Sequence, residues 1–175
     1  NKGCFVQDIG NFEVIKSVHK FFIDKNIIDV CAAPGGKSIL LTSLGFNVFA
    51  IDKSQKQISK LKENLKRLNI RLNIKKIDFL THNFSKKYNS ILLDAPCSAL
   101  GTFRRNPDVT VKIDHSIIKK HQKTQLKMLE KSIELLNKQG FLVYVVCSFH
   151  PFETIDVIDK VIQKHKNIRI HNINS

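Results

Sequence analysis

Ile27-Ile28-Asp29-Val30-Cys31-Ala32-Ala33-Pro34-Gly35-Gly36-Lys37-Ser38 is the stretch that decides the fold. An apolar, strand-prone run ends in small residues and a glycine pair, and a helical pattern starts at once. Such residues let backbone approach a ligand closely, and the N-terminus of the following helix offers N–H groups without intrahelical partners. The spacing is neither G-x-x-x-x-G-K-[ST], which needs a glycine near Cys31, nor G-x-G-x-x-G, so a Walker phosphate loop and a dinucleotide fingerprint are both excluded. Taken alone, the loop could equally be a tight turn that holds nothing.

Working outward, the same strand-then-helix alternation repeats. Asn47-Val48-Phe49-Ala50-Ile51 ends at Asp52, the alternating stretch Ile70 to Ile77 ends at Asp78, and Ser90-Ile91-Leu92-Leu93 ends at Asp94. Phe141 to Val146 is almost wholly apolar, which predicts a central strand covered on both faces, and it ends at Cys147. Ile58, Leu61, Leu65 and Leu68 share one helical face; Leu126, Leu129, Ile133 and Leu136 share another on a helix over Lys119 to Asn137. Gly140 is placed to cap that second helix, and Asn167 to Ile173 reads as a sixth strand. Strands separated by helices predict a doubly wound, mostly parallel α/β sheet with right-handed crossovers. Ligands bind beyond the carboxyl ends of such strands. Cys31, Asp52, Asp78, Asp94 and Cys147 therefore converge on one edge.

The 175 residues suit one hydrophobic core, with 1–26 as a lead-in segment and helix and 27–175 as the core. No run approaches the roughly 18 apolar residues of a membrane span. The opening Asn1-Lys2-Gly3 lacks an export pattern, so a cytoplasmic location is expected. The missing initiator methionine is expected of a piece of a longer chain. The net charge of +14 suits a polyanionic partner. Lysine supplies 24 of the 29 basic residues, so codon-composition drift is a competing source of that charge. Cys4, Cys31, Cys97 and Cys147 form no C-x-x-C pair, which argues against a zinc site, and no metal is expected.

Asp52 lies about twenty residues beyond the first loop, where a carboxylate can accept both hydroxyls of a ribose; it could also cap the helix that follows. Asp78 could lie beside an adenine amino group or simply hold a turn.

Cys31-Ala32-Ala33-Pro34-Gly35-Gly36-Lys37 resembles the cofactor motif of the Sun/Nop family of RNA cytosine-5 methyltransferases. The resemblance continues through Asp94-Ala95-Pro96-Cys97-Ser98-Ala99-Leu100-Gly101-Thr102-Phe103-Arg104-Arg105-Asn106-Pro107-Asp108. It returns at Val146-Cys147-Ser148-Phe149-His150-Pro151-Phe152-Glu153, and Gly3-Cys4-Phe5-Val6-Gln7-Asp8 is similar to the segment before the family's core. The paired arginines are most similar to the bacterial members that act on small-subunit ribosomal RNA. The resemblance implies a Rossmann-like class I fold and S-adenosyl-L-methionine as cofactor, held by residues 31–37 with Asp52, Asp78 and Asp94. It also implies an RNA substrate, Cys147 as nucleophile and Cys97 as the residue needed for product release. Asp94 would act at cytosine N3 and the exocyclic amine by hydrogen bonding or protonation, a buried carboxyl of raised pKa being able to donate a proton; the alternative is an end-of-strand aspartate that holds the turn through Pro96. Lys37 or a helix N-terminus would activate Cys147. Arg104 and Arg105 are expected on RNA phosphates, with salt bridges as the alternative. His150 and Pro151 are expected to shape the turn after Cys147.

The chain departs from the family at Val146, where threonine is common, and at Thr154, where asparagine is usual. The family's closing antiparallel strand is not visible. An RNA-binding factor for ribosome assembly that has lost catalysis is the alternative from another class. A methyltransferase acting on an exocyclic amine fits less well, because Asp94-Ala95-Pro96-Cys97 is not a polar-Pro-Pro-aromatic loop.

Overall fold

A computed structural model describes residues 4–109 and 114–173; Gly3, at the head of the lead-in motif, lies outside them. Helix α1 (Ile9–Val18) leads into β1 (Asn26–Val30), α2 (Gly36–Ser43), β2 (Asn47–Asp52), α3 (Gln55–Leu68), β3 (Asn73–Lys76) and β4 (Tyr88–Asp94). Then come α4 (His115–Leu135), β5 (Leu136–Val145) and α5 (Ile155–Lys164). Short 3-10 turns occupy His19–Phe21, Leu100–Thr102 and Pro151–Glu153.

The five strands form one sheet in the order β3-β2-β1-β4-β5, and every pairing is parallel. Alternate residues of each strand face opposite helical layers, because side chains alternate across a strand. Ile27, Val48, Leu92 and Val143 pack with Ile15 and Val18 of α1 and Leu41 of α2, while Ala50 packs with Leu61 and Leu65 of α3. On the other face Ile28, Val30, Ile51, Ile91 and Leu93 meet Met128 and Leu129 of α4 and Val157 and Val161 of α5. The expected doubly wound α/β fold is therefore present. No helix among the described residues is long and apolar enough to cross a membrane.

Four expectations are corrected. Phe141 to Val145 lies in β5, with Val146 just beyond it, and β5 ends the sheet and pairs only with β4 among the described residues. Its apolarity is real on both sides: Phe141, Val143 and Val145 join the α1 face, and Leu142, Tyr144 and Val146 join the α4–α5 face. Two covered faces require apolar side chains wherever a strand sits in the order. Gly140 caps nothing, because α4 ends at Leu135 and the chain turns directly extended at Leu136. Gln139 carries the left-handed φ of 62° there, within the segment assigned to β5. Residues 167–173 form no strand; His171 instead lays its ring against Phe21 and Phe141, and Ile170 stays exposed. Finally, Asp52 does not cap α3. Ser54 does, accepting from the N–H of Gln57, and Asp52 accepts from the N–H of Ser54.

Leu61 anchors α3 beneath the first loop. It is fully buried, and a Cβ on Gly35 would stand 2.2 Å from its Cδ1. Leu61→Ala should cost about 2–5 kcal/mol by urea denaturation. Gly35→Ala made in that background should still destabilise, because the φ of 107° remains strained for alanine after the clash is gone.

Candidate active site

The first loop leaves β1 through Cys31, itself left-handed at φ 62°, and passes the cis Ala33–Pro34 bond to Gly35. Ala32 packs inward with Ile39 and Leu61. Gly35 is the N-cap of α2 and has no side chain to satisfy the first-turn N–H groups of Gly36, Lys37 and Ser38. Asp52 braces this loop: its Oδ2 accepts from the N–H of Ala33 at 3.3 Å. Gln7 comes from the lead-in segment and lies against Gly36, with its Nε2 buried and unpartnered. Asp78 closes its own turn by accepting from the N–H of Leu80 at 3.0 Å.

Asp29 ties β1 to α2. It is fully buried, accepts from Ser38 Oγ at 2.5 Å, and leaves its second oxygen without a partner. Burial pushes its pKa up to about 7, with the Ser38 hydrogen bond opposing and the Asp94 charge adding to the rise.

Lys37 joins three elements. Its ammonium, 5% exposed, donates to Asp94 Oδ2 and to Asn11 Oδ1, both at 2.7 Å. Asp94 is 29% exposed and paired with the Lys37 ammonium, so the carboxyl expected to be buried is only partly so.

The turns that carry the two thiols meet because β4 and β5 are neighbours. The N–H of Cys147 donates to Cys97 Sγ at 3.2 Å, and Gly101 donates to the carbonyl of Cys147 at 3.0 Å. A Cβ on Gly101 would lie 3.2 Å from that carbonyl oxygen, so a glycine suits this contact. Beneath them Glu153 is fully buried and accepts from the Ser98 N–H at 2.8 Å, from Ser98 Oγ, and from Gln125 Nε2 at 3.1 Å. Burial pushes the Glu153 pKa up, but the hydrogen bonds from Ser148, Ser98 and Gln125 outweigh it and hold the carboxyl below its ordinary value. His150 shapes the following turn as expected, its Nδ1 accepting from the Phe152 N–H at 3.2 Å. Thr154 Oγ1 donates to the His150 carbonyl at 3.0 Å.

Burial raises all three core thiols: Cys31 to about 12, Cys97 to about 11, and Cys147 above its usual value. At Cys147 the Lys37 charge pulls down and the Asp94 charge pushes up. The activating role expected of Lys37 is thus outweighed by desolvation, its ammonium being already engaged with Asp94. A cleft of ≈ 260 Å³ opens at Cys147, bordered by Asp8, Asn11, Gly101, Arg105 and Phe149. Arg105 is bound across it to Asp8 at 3.0 Å, which is the salt-bridge alternative; Arg104 is exposed. Gln7, Asn11, Gln125 and the bracing role of Glu153 escaped the sequence reading. Only Gln125 carried a signal, as a polar residue four positions before Leu129 on a buried face.

A parallel, doubly wound sheet with its polar residues at the carboxyl edge is the Rossmann-like fold of class I S-adenosylmethionine-dependent methyltransferases. The solved ribosomal protein L11 methylase from Lactobacillus delbrueckii shares that fold at 15% identity, with TM-score 0.61 over 91% of this chain and 69% of that one. Residues 21–175 match the family described as 16S rRNA methyltransferase RsmB/F, and the chain belongs to that family. It is 35% identical over 151 residues to ribosomal RNA small subunit methyltransferase B of Serratia proteamaculans, covering 83% of this chain and 35% of that protein. It is 30% identical to the probable ribosomal RNA small subunit methyltransferase B of Coxiella burnetii, covering 99% of this chain and 43% of that protein. The chain therefore spans less than half the length of these curated relatives. The crystal structure of NSun6 from Pyrococcus horikoshii with SFG superposes with TM-score 0.82 at 28% identity, covering 91% of this chain and 42% of that one.

Asp29 makes a pH prediction. Its folded pKa of about 7 lies above the ordinary 3.8, so the folded state holds a proton that the unfolded chain has lost between those values. That contribution to stability is intact below pH 3.8 and falls as pH rises to about 7. Asp29→Asn should flatten this decline in urea titrations from pH 4 to 8.

Proposed function

We propose that this chain transfers a methyl group from S-adenosylmethionine to carbon 5 of a cytosine in small-subunit ribosomal RNA, through a transient bond to Cys147. The observation that carries the reading is the hydrogen bond from the Cys147 N–H to Cys97 Sγ, at a cleft walled by the RNA-family motifs. The names of the curated relatives support the ribosomal substrate, and the NSun6 complex with SFG, an analogue of the donor, supports the cofactor.

Residues 31–37 fit that cofactor. Gly35 and Gly36 leave room beside the uncapped N-terminus of α2, and the unpartnered Gln7 amide supplies a donor waiting for an acceptor. Asp52 would take the ribose hydroxyls, Asp78 the adenine amine, and Asp94 would border the cofactor beside the cleft. When bound, the cofactor supplies an electrophilic methyl group. The Cys147 thiolate adds to carbon 6 of the cytosine, and the displaced electron pair makes carbon 5 a nucleophile. After methyl transfer, carbon 5 loses its proton with help from Cys97, the sulfur–carbon 6 bond breaks, and the electron pair returns to Cys147. Asp94, held by Lys37, offers its remaining oxygen to the cytosine amine. Arg105, and Arg104 beside it, would take RNA phosphates, Arg105 on release from Asp8. The base must leave its stack to reach the cleft.

Transfer of tritiated methyl to unmodified small-subunit ribosomal RNA tests the reading. Cys147→Ala should abolish incorporation while calorimetric cofactor binding persists, and Cys97→Ala should accumulate a protein–RNA adduct that survives denaturation. RNA binding with no incorporation by the unaltered chain would favour the assembly-factor alternative, which the raised Cys147 thiol supports. Because burial raises that thiol, single-turnover transfer should accelerate as pH rises from 7 to 9; a flat profile would separate the rate from Cys147 ionisation.

A further inference from the structure

The face of the sheet that carries α4 and α5 is not evenly covered. Residues 77–87 run from β3 to β4 without a helix, so the outer part of this face, over β2 and β3, has only that loop above it. There an open groove of ≈ 920 Å³ lies between Asn47, Phe49, Asn73 and Lys75 of the sheet and the loop bearing His82, Phe84 and Lys86. It reaches Asn26, Asn47, Asn73 and Tyr88, the first residues of β1, β2, β3 and β4. It thus runs from the amino ends of β1, β2 and β4 along β3 to Lys76 and Asp78 at that strand's carboxyl end, on a different side of the fold from the thiols and Asp94, which stand at the carboxyl ends of β4 and β5.

The lining brings together three kinds of group. Lys75, Lys76 and Lys86 supply positive charge, and none takes part in a described ion pair. Two of these ammonium groups lie over aromatic faces instead: Lys75 is 6.0 Å from the Phe49 ring centroid and Lys86 is 5.4 Å from that of Tyr88. An aromatic face holds a cation without neutralising it, so the charge stays available to an anion. The one carboxylate in the lining, Asp78, has an oxygen engaged by the Leu80 N–H. Phe84, Tyr88 and His82 form a packed aromatic group, with His82 and Tyr88 rings each edge-on to Phe84 at 4.7 and 6.2 Å. Asn73 and Asn83 add amides able to donate and accept.

Cations for phosphates, the exposed His82 ring for a base and amides for base edges are the combination that single-stranded RNA recognition uses. An acidic peptide would use the lysines and leave the ring and amides idle. We propose that this groove is a second RNA contact, holding a single-stranded stretch of the substrate away from the target base. The proposal rests on the RNA-methyltransferase reading for the identity of the substrate, and its test separates the two.

The test compares the unaltered chain with a Lys75→Ala/Lys76→Ala/Lys86→Ala variant, whose changes are all at exposed side chains. Fluorescence anisotropy would use a labelled single-stranded fragment of small-subunit ribosomal RNA, from 50 to 300 mM salt. Loss of three phosphate contacts should raise Kd about tenfold at low salt and reduce the log–log salt slope by about 2. Calorimetric affinity for S-adenosylmethionine should be unchanged, and in methyl transfer the loss should appear in KM with kcat retained. RNA carrying 4-thiouridine should cross-link to the peptide containing Phe84 and Tyr88. Unaltered affinity and slope in the variant would overturn the groove, as would cross-links confined to the peptides around Cys147. Equal competition by oligoglutamate would also overturn it in favour of an acidic protein partner. A chain that binds RNA through the groove yet methylates none would lose the proposed activity and keep the groove.

Discussion

The buried carboxylate of Glu153 is the constraint on which the arrangement of the site depends. It sits after β5, yet it receives the backbone and hydroxyl of Ser98 after β4 and the amide of Gln125 on α4. Hydrogen bonds to a charged group contribute about 1.5–3 kcal/mol each, and an unpaired buried charge costs more than any one of them supplies. The two turns that carry Cys97 and Cys147 are therefore locked to each other and to the helix behind them. Tyr144 adds a hydrogen bond to the Glu153 carbonyl, and Ser98 one to Ser148. Parallel adjacency of β4 and β5 brings the thiols to one edge; the carboxylate fixes how the turns face.

Above that anchor, burial raises the thiols, and the charges around Cys147 are paired with one another. Lys37 exerts the largest positive influence on Cys147, but a carboxylate 2.7 Å from its ammonium offsets it, and desolvation prevails. Arg105 is similarly engaged by Asp8. Both pairs draw on the lead-in segment, since Asn11 holds the same ammonium as Asp94. Anything that enters the cleft meets charges already satisfied by one another, and the reactivity of Cys147 is coupled to how those pairs rearrange.

The short β3–β4 connection has the opposite character. Omitting a helix exposes part of a sheet face that a doubly wound fold otherwise covers. That face is kept from being a hydrophobic liability by Asn47, Asn73 and Lys75 at its outer positions, with Phe49 shielded by a lysine. The fold thus presents two unlike surfaces, a cleft of paired charges at the carboxyl ends of β4 and β5 and an open basic groove over β2 and β3.

Much of this was written in local pattern. The runs at Ile27, Asn47 and Ser90 each marked a strand, Ile58, Leu61 and Leu65 marked the buried face of α3, and the alternation of strands and helices implied the parallel sheet. Burial of a face imposes its periodicity on neighbouring residues, so sequence alone determined which segments fold and which sides lose water. It also placed Cys31, Asp52, Asp94 and Cys147 at strand ends. What it did not contain were relations between distant segments. Two-sided apolarity in β5 was the same for an edge as for a centre, and the alternation at 167–173 had no ladder to join. The Lys37–Asp94 pair spans 57 residues and the Ser98–Glu153 bonds span 55. Such contacts depend on how whole elements close over one another, and only that closure decided which charges were neutralised and which thiols were buried.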